Sequence, residues 1–204
     1  MIFSGRAKRC LALLSLLLAA ACAAPPQEPP APREVPGYRT MEDGGHVIAA
    51  VPERYVPPEN RRARIYYSGS EAPGTIVVDP HSKYLYLVEP DGVALRYRIA
   101  VGEEGRAFRG SATVGRKAEW PYWTPTANMI RTQPELYANL AGGMGPGPDN
   151  PLGARALYLH RGARDTMFRI HGTGDYTSIG NATSAGCIRL YNQDIIHLYD
   201  EVRP

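Results

Sequence analysis

The chain has 204 residues, room for one ordinary domain with flanking segments, and its 44% hydrophobic share suffices for a core. Its 21 glycines and 19 prolines point to a turn-rich, strand-rich fold. The formal charge of +3 belongs to Arg6, Lys8 and Arg9 in the first 21 residues; without them 20 basic side chains (23 less three) face 20 acidic ones. The charge therefore gives no pointer to nucleic acid, and with no basic patch interleaved with aromatics no nucleic-acid partner is expected.

The amino terminus reads as a signal peptide over residues 1–21. A basic start precedes the apolar run Leu11 to Leu18, broken only by Ser15, and Ala19-Ala20-Ala21-Cys22 follows. A permanent membrane span needs roughly 20 apolar residues, more than this run supplies. The small residues before Cys22 favour a lipoprotein-type signal with lipidated Cys22, although Ala19 stands where such signals usually carry Leu. Ordinary cleavage nearby is the alternative. Either route exports the chain, and a lipid on Cys22 would anchor it to the membrane in the periplasm. Cys10 leaves with the signal, and if Cys22 carries lipid Cys187 is the only thiol left, with no disulfide partner and either buried or reactive.

Residues 22–63 are polar and broken by many prolines, which predicts a flexible tether with order beginning near Arg64. Ile65-Tyr66-Tyr67 reads as a first short strand. Thr75 to Val78, Lys83 to Val88 and Ala94 to Val101 follow, joined by Asp79-Pro80 and Glu89-Pro90-Asp91-Gly92 turns, and predict an antiparallel meander. Gly102 to Gly115 reads as a loop. Trp120 to Thr126 holds both tryptophans between prolines; it is either the wall of a groove for an extended ligand, with Trp123 in contact, or a cap on the sheet.

Pro134 to Ala141 predicts a short helix. The glycine-rich stretch 142–148 belongs to a loop of the length often used for lids. Residues 156–160 and 167–171 predict two further strands with 161–165 as their hairpin loop. A final helix is predicted from Asn192 as N-cap, with Asp194 in its first turn and Ile195, Leu198, Tyr199 and Val202 at helical spacing.

Two residues carry the chemistry. His171 closes a predicted strand, and Cys187 lies 16 positions later behind Gly186. A thiol attacks a carbonyl as thiolate, and a neighbouring imidazole can take its proton and stabilise the resulting ion pair. Gly172 would let the chain turn after the base. Gly186 would let a substrate carbonyl approach the backbone, where the Gly186 and Cys187 N–H groups could meet an oxyanion, each worth about 3–4 kcal/mol. No acid stands where it would orient His171; a backbone carbonyl could do so. Taken singly, a lone His or Cys is ordinarily structural. Arg189 could grip a substrate carboxylate or pair with Asp194. Histidines 46, 81, 160, 171 and 197 lack paired ligand spacing, so neither metal nor cofactor is expected.

The residues Ile170-His171-Gly172-Thr173, then Ser184-x-Gly186-Cys187-Ile188-Arg189-Leu190 and Asn192-x-Asp194, resemble the catalytic signature of the L,D-transpeptidases of YkuD type. Further matches are Ile76 to Asp79, Trp123 to Thr126 and Asn150 to Leu159, so the resemblance covers about residues 65 to 202. It implies a mainly β domain over 64–204, an L,D-transpeptidase-like β-sandwich with a few short helices, one of them at the C-terminus. It implies a peptidoglycan stem peptide as substrate, with Cys187 as nucleophile and His171 as base. Ser184, Gly186 and Arg189 are surrounding motif positions. The acyl-enzyme would be resolved by an amine of a neighbouring stem, by an envelope protein, or by water in a hydrolase. The family commonly has His where this chain has Ala185, which touches tuning rather than the base. No peptidoglycan-binding module accompanies the domain. A wall-binding lipoprotein without activity is the remaining reading.

Overall fold

The computed structural model describes residues 34–102, 108–184 and 186–203; the signal segment, Cys22 and Ala185 lie outside the described residues. The fold is mainly strand, 37%, with few short helices, in a sandwich-like arrangement of sheets.

The predicted tether is the first correction. From Glu34 the chain is packed structure. Strands β1 (Met41–Asp43) and β2 (His46–Ile48) form a hairpin through Gly44 and Gly45, both at positive φ, and single 3-10 turns follow at Glu53–Tyr55 and Pro58–Asn60. Val35, Tyr38, Val51 and Val56 are buried against Ala100, Ile179 and Tyr191 of the main domain. These apolar residues are isolated along a polar stretch, so no local periodicity announces them. Their partners are distant in sequence.

The first four-stranded sheet holds β3 (Ala63–Tyr66), β4 (Ile76–Asp79), β5 (Tyr84–Glu89) and β6 (Val93–Arg98), in the order β3-β6-β5-β4, all antiparallel. This is the expected meander, with β3 folded back on β6. The short β7 (Val101–Gly102) follows. Next comes β8 (Thr113–Glu119), whose first residues fall in the expected loop. As an edge strand carrying Gly115, Arg116, Lys117 and Glu119, it has the charges that keep sheet edges from pairing further, and these disguise it as a loop.

Two short helices, α1 (Ala127–Thr132) and α2 (Pro134–Tyr137), lead to β9 (Arg155–Arg161), β10 (Arg164–Thr173), β11 (Ala182–Ser184), β12 (Ile188–Tyr191) and α3 (Asn192–Glu201). The β9–β10 hairpin turns on Gly162 and Ala163, tighter than the expected five-residue loop. The second sheet runs β12-β10-β9-β8, with β10 and β12 parallel and the other pairs antiparallel. β11 pairs with β7 in parallel.

Alternating side chains of both sheets meet in one core: Leu85, Leu87, Leu95 and Tyr97 from the first, Leu157, Leu159, Ile170, Ile188 and Leu190 from the second. Burying each such aliphatic side chain contributes about 1.5–3 kcal/mol. Ile195 and Leu198 bring α3 into the same core. Asn192 is not the N-cap: Tyr191 holds that position, and Asn192 Oδ1 accepts the Ala154 N–H at 2.9 Å.

Three contacts fasten the amino-terminal segment. Arg62 Nη1 donates to Asp194 Oδ1 at 2.9 Å while Tyr38 Oη donates to Asp194 Oδ2 at 3.2 Å. Asp43 takes both Nη1 (2.6 Å) and Nη2 (2.8 Å) of Arg155, and Trp120 Nε1 donates to the same carboxylate at 2.7 Å. Gln193 Nε2 donates to Ala49 O at 2.9 Å. These replace the Arg189–Asp194 pair considered from sequence.

Candidate active site

Strands β10 and β12 lie side by side in parallel, with Ile170 opposite Ile188 and His171 opposite Arg189. Ile170 and Ile188 point into the core, so alternation sends Arg169, His171 and Arg189 to the other face. Cys187 immediately precedes β12. One step back in the register sets it beside Arg169, whose backbone N–H hydrogen-bonds the thiol. Cys187 and His171 are therefore diagonal positions of the extended register, Cys187 just ahead of β12 and His171 within β10.

His171 is buried, and its Nδ1 lies 2.7 Å from Gly172 O. A carbonyl can only accept, so Nδ1 carries the proton and Nε2 keeps its lone pair. The orienting group is thus a backbone carbonyl. Burial pushes the imidazole pKa down to about 4, and the Arg189 and Arg169 charges add to the fall against the Gly172 hydrogen bond. Burial likewise raises the Cys187 thiol, opposed by the Arg169 N–H and the Arg169 and Arg189 charges. At neutral pH the resting pair is thiol and neutral imidazole. The ion pair considered from sequence is not the resting state, because burial penalises both charged forms.

Gly186 has φ +126°, a conformation that favours glycine, and its backbone is buried. It also lines a cavity of about 540 Å³ together with Ile170, Ile188, Val101 and Phe108. Ser184 pairs with Gly102 in the β11–β7 ladder. Arg189 bridges to Ala100 through both backbone groups at 2.9 Å, and its buried Nε has no hydrogen-bond partner among the described residues.

Two site expectations change. Gly172 does not turn the chain; it lies inside β10, buried. A Cβ there would fall onto Asn192 Oδ1 and within 2.8 Å of Ile195 Cγ2, so the glycine lets α3 lie close against β10. Trp123 is not an open groove wall. It exchanges backbone hydrogen bonds with Met144 (2.9 and 2.7 Å), and its buried ring lies 6.1 Å from Tyr137, centroid to centroid. Large aromatic area is driven inward, and here it fixes the glycine-rich loop. Asn150 completes that fixture through Nδ2 bonds to Pro121 O, Met144 O and Gly145 O.

Arg169 was missed from sequence. Its side chain ion-pairs with Asp165 through Nη1 (2.7 Å) and Nη2 (2.8 Å), and Nη1 also reaches Phe168 O at 2.9 Å. The period-two spacing to His171 could have flagged it. Among the described residues, no group of three or more His, Cys, Asp or Glu side chains is placed to hold a metal.

Residues 73–204 match the family model for the L,D-transpeptidase catalytic domain, YkuD. The chain belongs to this family. The probable L,D-transpeptidase ErfK/SrfK of Escherichia coli (strain K12) is 39% identical over 130 residues, covering 62% of this chain and 40% of that protein. A putative L,D-transpeptidase from the ATP synthase subunits region of Fuscovulum blasticum is 37% identical over 133 residues, covering 59% of this chain and 66% of that protein. Probable L,D-transpeptidase YbiS of E. coli (strain K12) is 29% identical over 169 residues, 82% of this chain and 50% of its own length. The chain thus spans about half the length of the curated relatives it matches. A solved structure from Brucella melitensis, described as a probable carnitine operon oxidoreductase, is 47% identical with a TM-score of 0.53 and covers 74% of this chain and 93% of that one. Within this L,D-transpeptidase domain the match begins after β3, so the packed segment 34–62 lies outside it.

Proposed function

We propose that the chain is a cysteine L,D-transpeptidase acting on peptidoglycan stem peptides at the cell envelope. The observation that supports this reading is the parallel register of β10 and β12, which sets Arg189, two residues after Cys187, opposite His171, whose Nε2 keeps its lone pair. The Cys187 thiol attacks the carbonyl of the third residue of a tetrapeptide stem as Nε2 takes its proton. The Gly186 and Cys187 N–H groups receive the oxyanion, and the imidazolium returns the proton to the departing D-alanine amine. An amine of a second stem, or of an envelope protein, then attacks the thioester and frees the sulfur. Arg189, whose charge is not matched by Asp194, serves to bind a substrate carboxylate. Lipid on Cys22 would hold this chemistry at the membrane in the periplasm.

Intact-mass analysis after incubation with a carbapenem tests the nucleophile. The expected result is one adduct on the wild type and none on Cys187→Ala; an equal adduct on both would falsify the reading. Digested muropeptides then identify the acceptor. New 3-3 dimers fit transfer, whereas shortened stems alone would mark a hydrolase.

A further inference from the structure

Arg169 lies outside the motif residues assigned above, yet three observations converge on it. The β10–β12 register, carried one step back, puts it beside Cys187, and its N–H reaches the sulfur. Its guanidinium is fixed: Asp165 holds both Nη atoms, the ring centroid of Tyr158 lies 4.3 Å from Cζ, and Arg116 covers the same ring at 4.0 Å. Only 11% of the side chain is exposed, so water screens its charge weakly.

We propose that Arg169 is the positioning residue of this site: its main chain holds the sulfur of Cys187, and its clamped guanidinium favours thiolate over thiol. This rests on Cys187 as the nucleophile. The same charge opposes an imidazolium at His171, so it assists the sulfur and keeps the base neutral. The charges that bear on the thiol are Arg169 from β10 and Arg189 from β12, with His171 diagonal to Cys187 in the register, Asp165 behind Arg169 and, through Tyr158, Arg116 from β8. An Arg169 present only for packing would leave the thiol's titration unmoved. A clamped charge moves it, and removing the clamp's counter-charge moves it the other way.

The test follows iodoacetamide alkylation of Cys187 against pH in the full chain, read by peptide mapping so that other cysteines do not interfere. Arg169→Gln should raise the midpoint by about one unit, which slows alkylation at pH near 8 about tenfold. Arg169→Lys should keep most of the wild-type rate. Asp165→Asn should lower the midpoint, since Phe168 O and the Tyr158 ring still hold the guanidinium. An unmoved midpoint in Arg169→Gln, equal shifts in the Gln and Lys variants, or no fall in Asp165→Asn overturns the proposal. If Arg169→Gln loses its cooperative melt, Asp165→Asn decides. Alkylation needs no peptidoglycan, so an inert carbapenem assay would sink the transpeptidase reading and leave this result standing.

Discussion

His171 stands directly opposite Arg189 across the parallel pairing of β10 and β12. Burial makes protonation of this imidazole costly, the positive charge of Arg189 adds to the cost, and the pKa falls to about 4. As the proposed base, His171 is therefore neutral through the mildly acidic range. The acid limb of carbapenem acylation is expected near pH 4, with a flat rate from about pH 5 to 8. Arg189→Gln should move that limb upward. Stopped-flow acylation rates across pH measure both; a wild-type limb near the ordinary imidazole value of about 6.5 would contradict the neutral-base account.

Asp43 and Arg155 join the amino-terminal hairpin to β9. Arg155 is the more buried partner, its side chain 7% exposed against 16% for Asp43. Asp43→Ala leaves a guanidinium in that site without its main counter-charge and should destabilise by about 2–3 kcal/mol. Arg155→Leu removes the buried charge itself and should cost less. Urea unfolding gives both values, and the reverse ranking would show that packing rather than charge dominates this joint.

Asp194 should make the same segment sensitive to pH. Burial lifts its pKa to about 7, against the pull of Arg62 and Tyr38. A carboxyl whose folded pKa exceeds the unfolded value supports the fold most when neutral. That support is complete below about pH 4 and is lost as pH rises through about 7. Arg62→Leu removes the partner of the charged form, so its melting-temperature deficit should be larger at pH 8 than at pH 5, values on either side of the folded pKa of about 7. Equal deficits at both would mean that Asp194 keeps one protonation state throughout.

Gly172→Ala should damage stability and activity together. The added methyl meets Asn192 Oδ1 and Ile195 Cγ2, and the Asn192–Ala154 hydrogen bond must yield. Overpacking of this kind costs about 1–3 kcal/mol. Because Gly172 O orients His171, the displaced backbone should also slow carbapenem acylation. A variant that melts like the wild type and acylates at full rate would show that α3 can retreat freely.

Strands β4 to β6 were legible because each is a short apolar or alternating run closed by a Pro-led or Gly-ended turn. His171 and Cys187 stood out by residue type, spacing and flanking glycines, and the register of β10 and β12 brings their segments together. β8 was hidden because an edge strand carries charges that resemble a loop. The buried role of residues 34–62 was hidden because Val35, Tyr38 and Val56 find their partners at Ile179 and Tyr191. Arg169 could be read as a neighbour of His171 along one strand. Its nearness to Cys187 depends on β10 and β12 being parallel neighbours, a pairing between distant segments that no local pattern reports.

The packed stretch from Glu34 onward also sets a leash. Were acyl chains attached at Cys22, only the 11 residues 23–33 would separate them from Glu34, a contour of about 40 Å at full extension. A leash running to Arg64 would have allowed more than three times that reach. On the proposed function, a domain attached in this way would reach only murein strands near the lipid surface, and lengthening residues 23–33 should widen that reach.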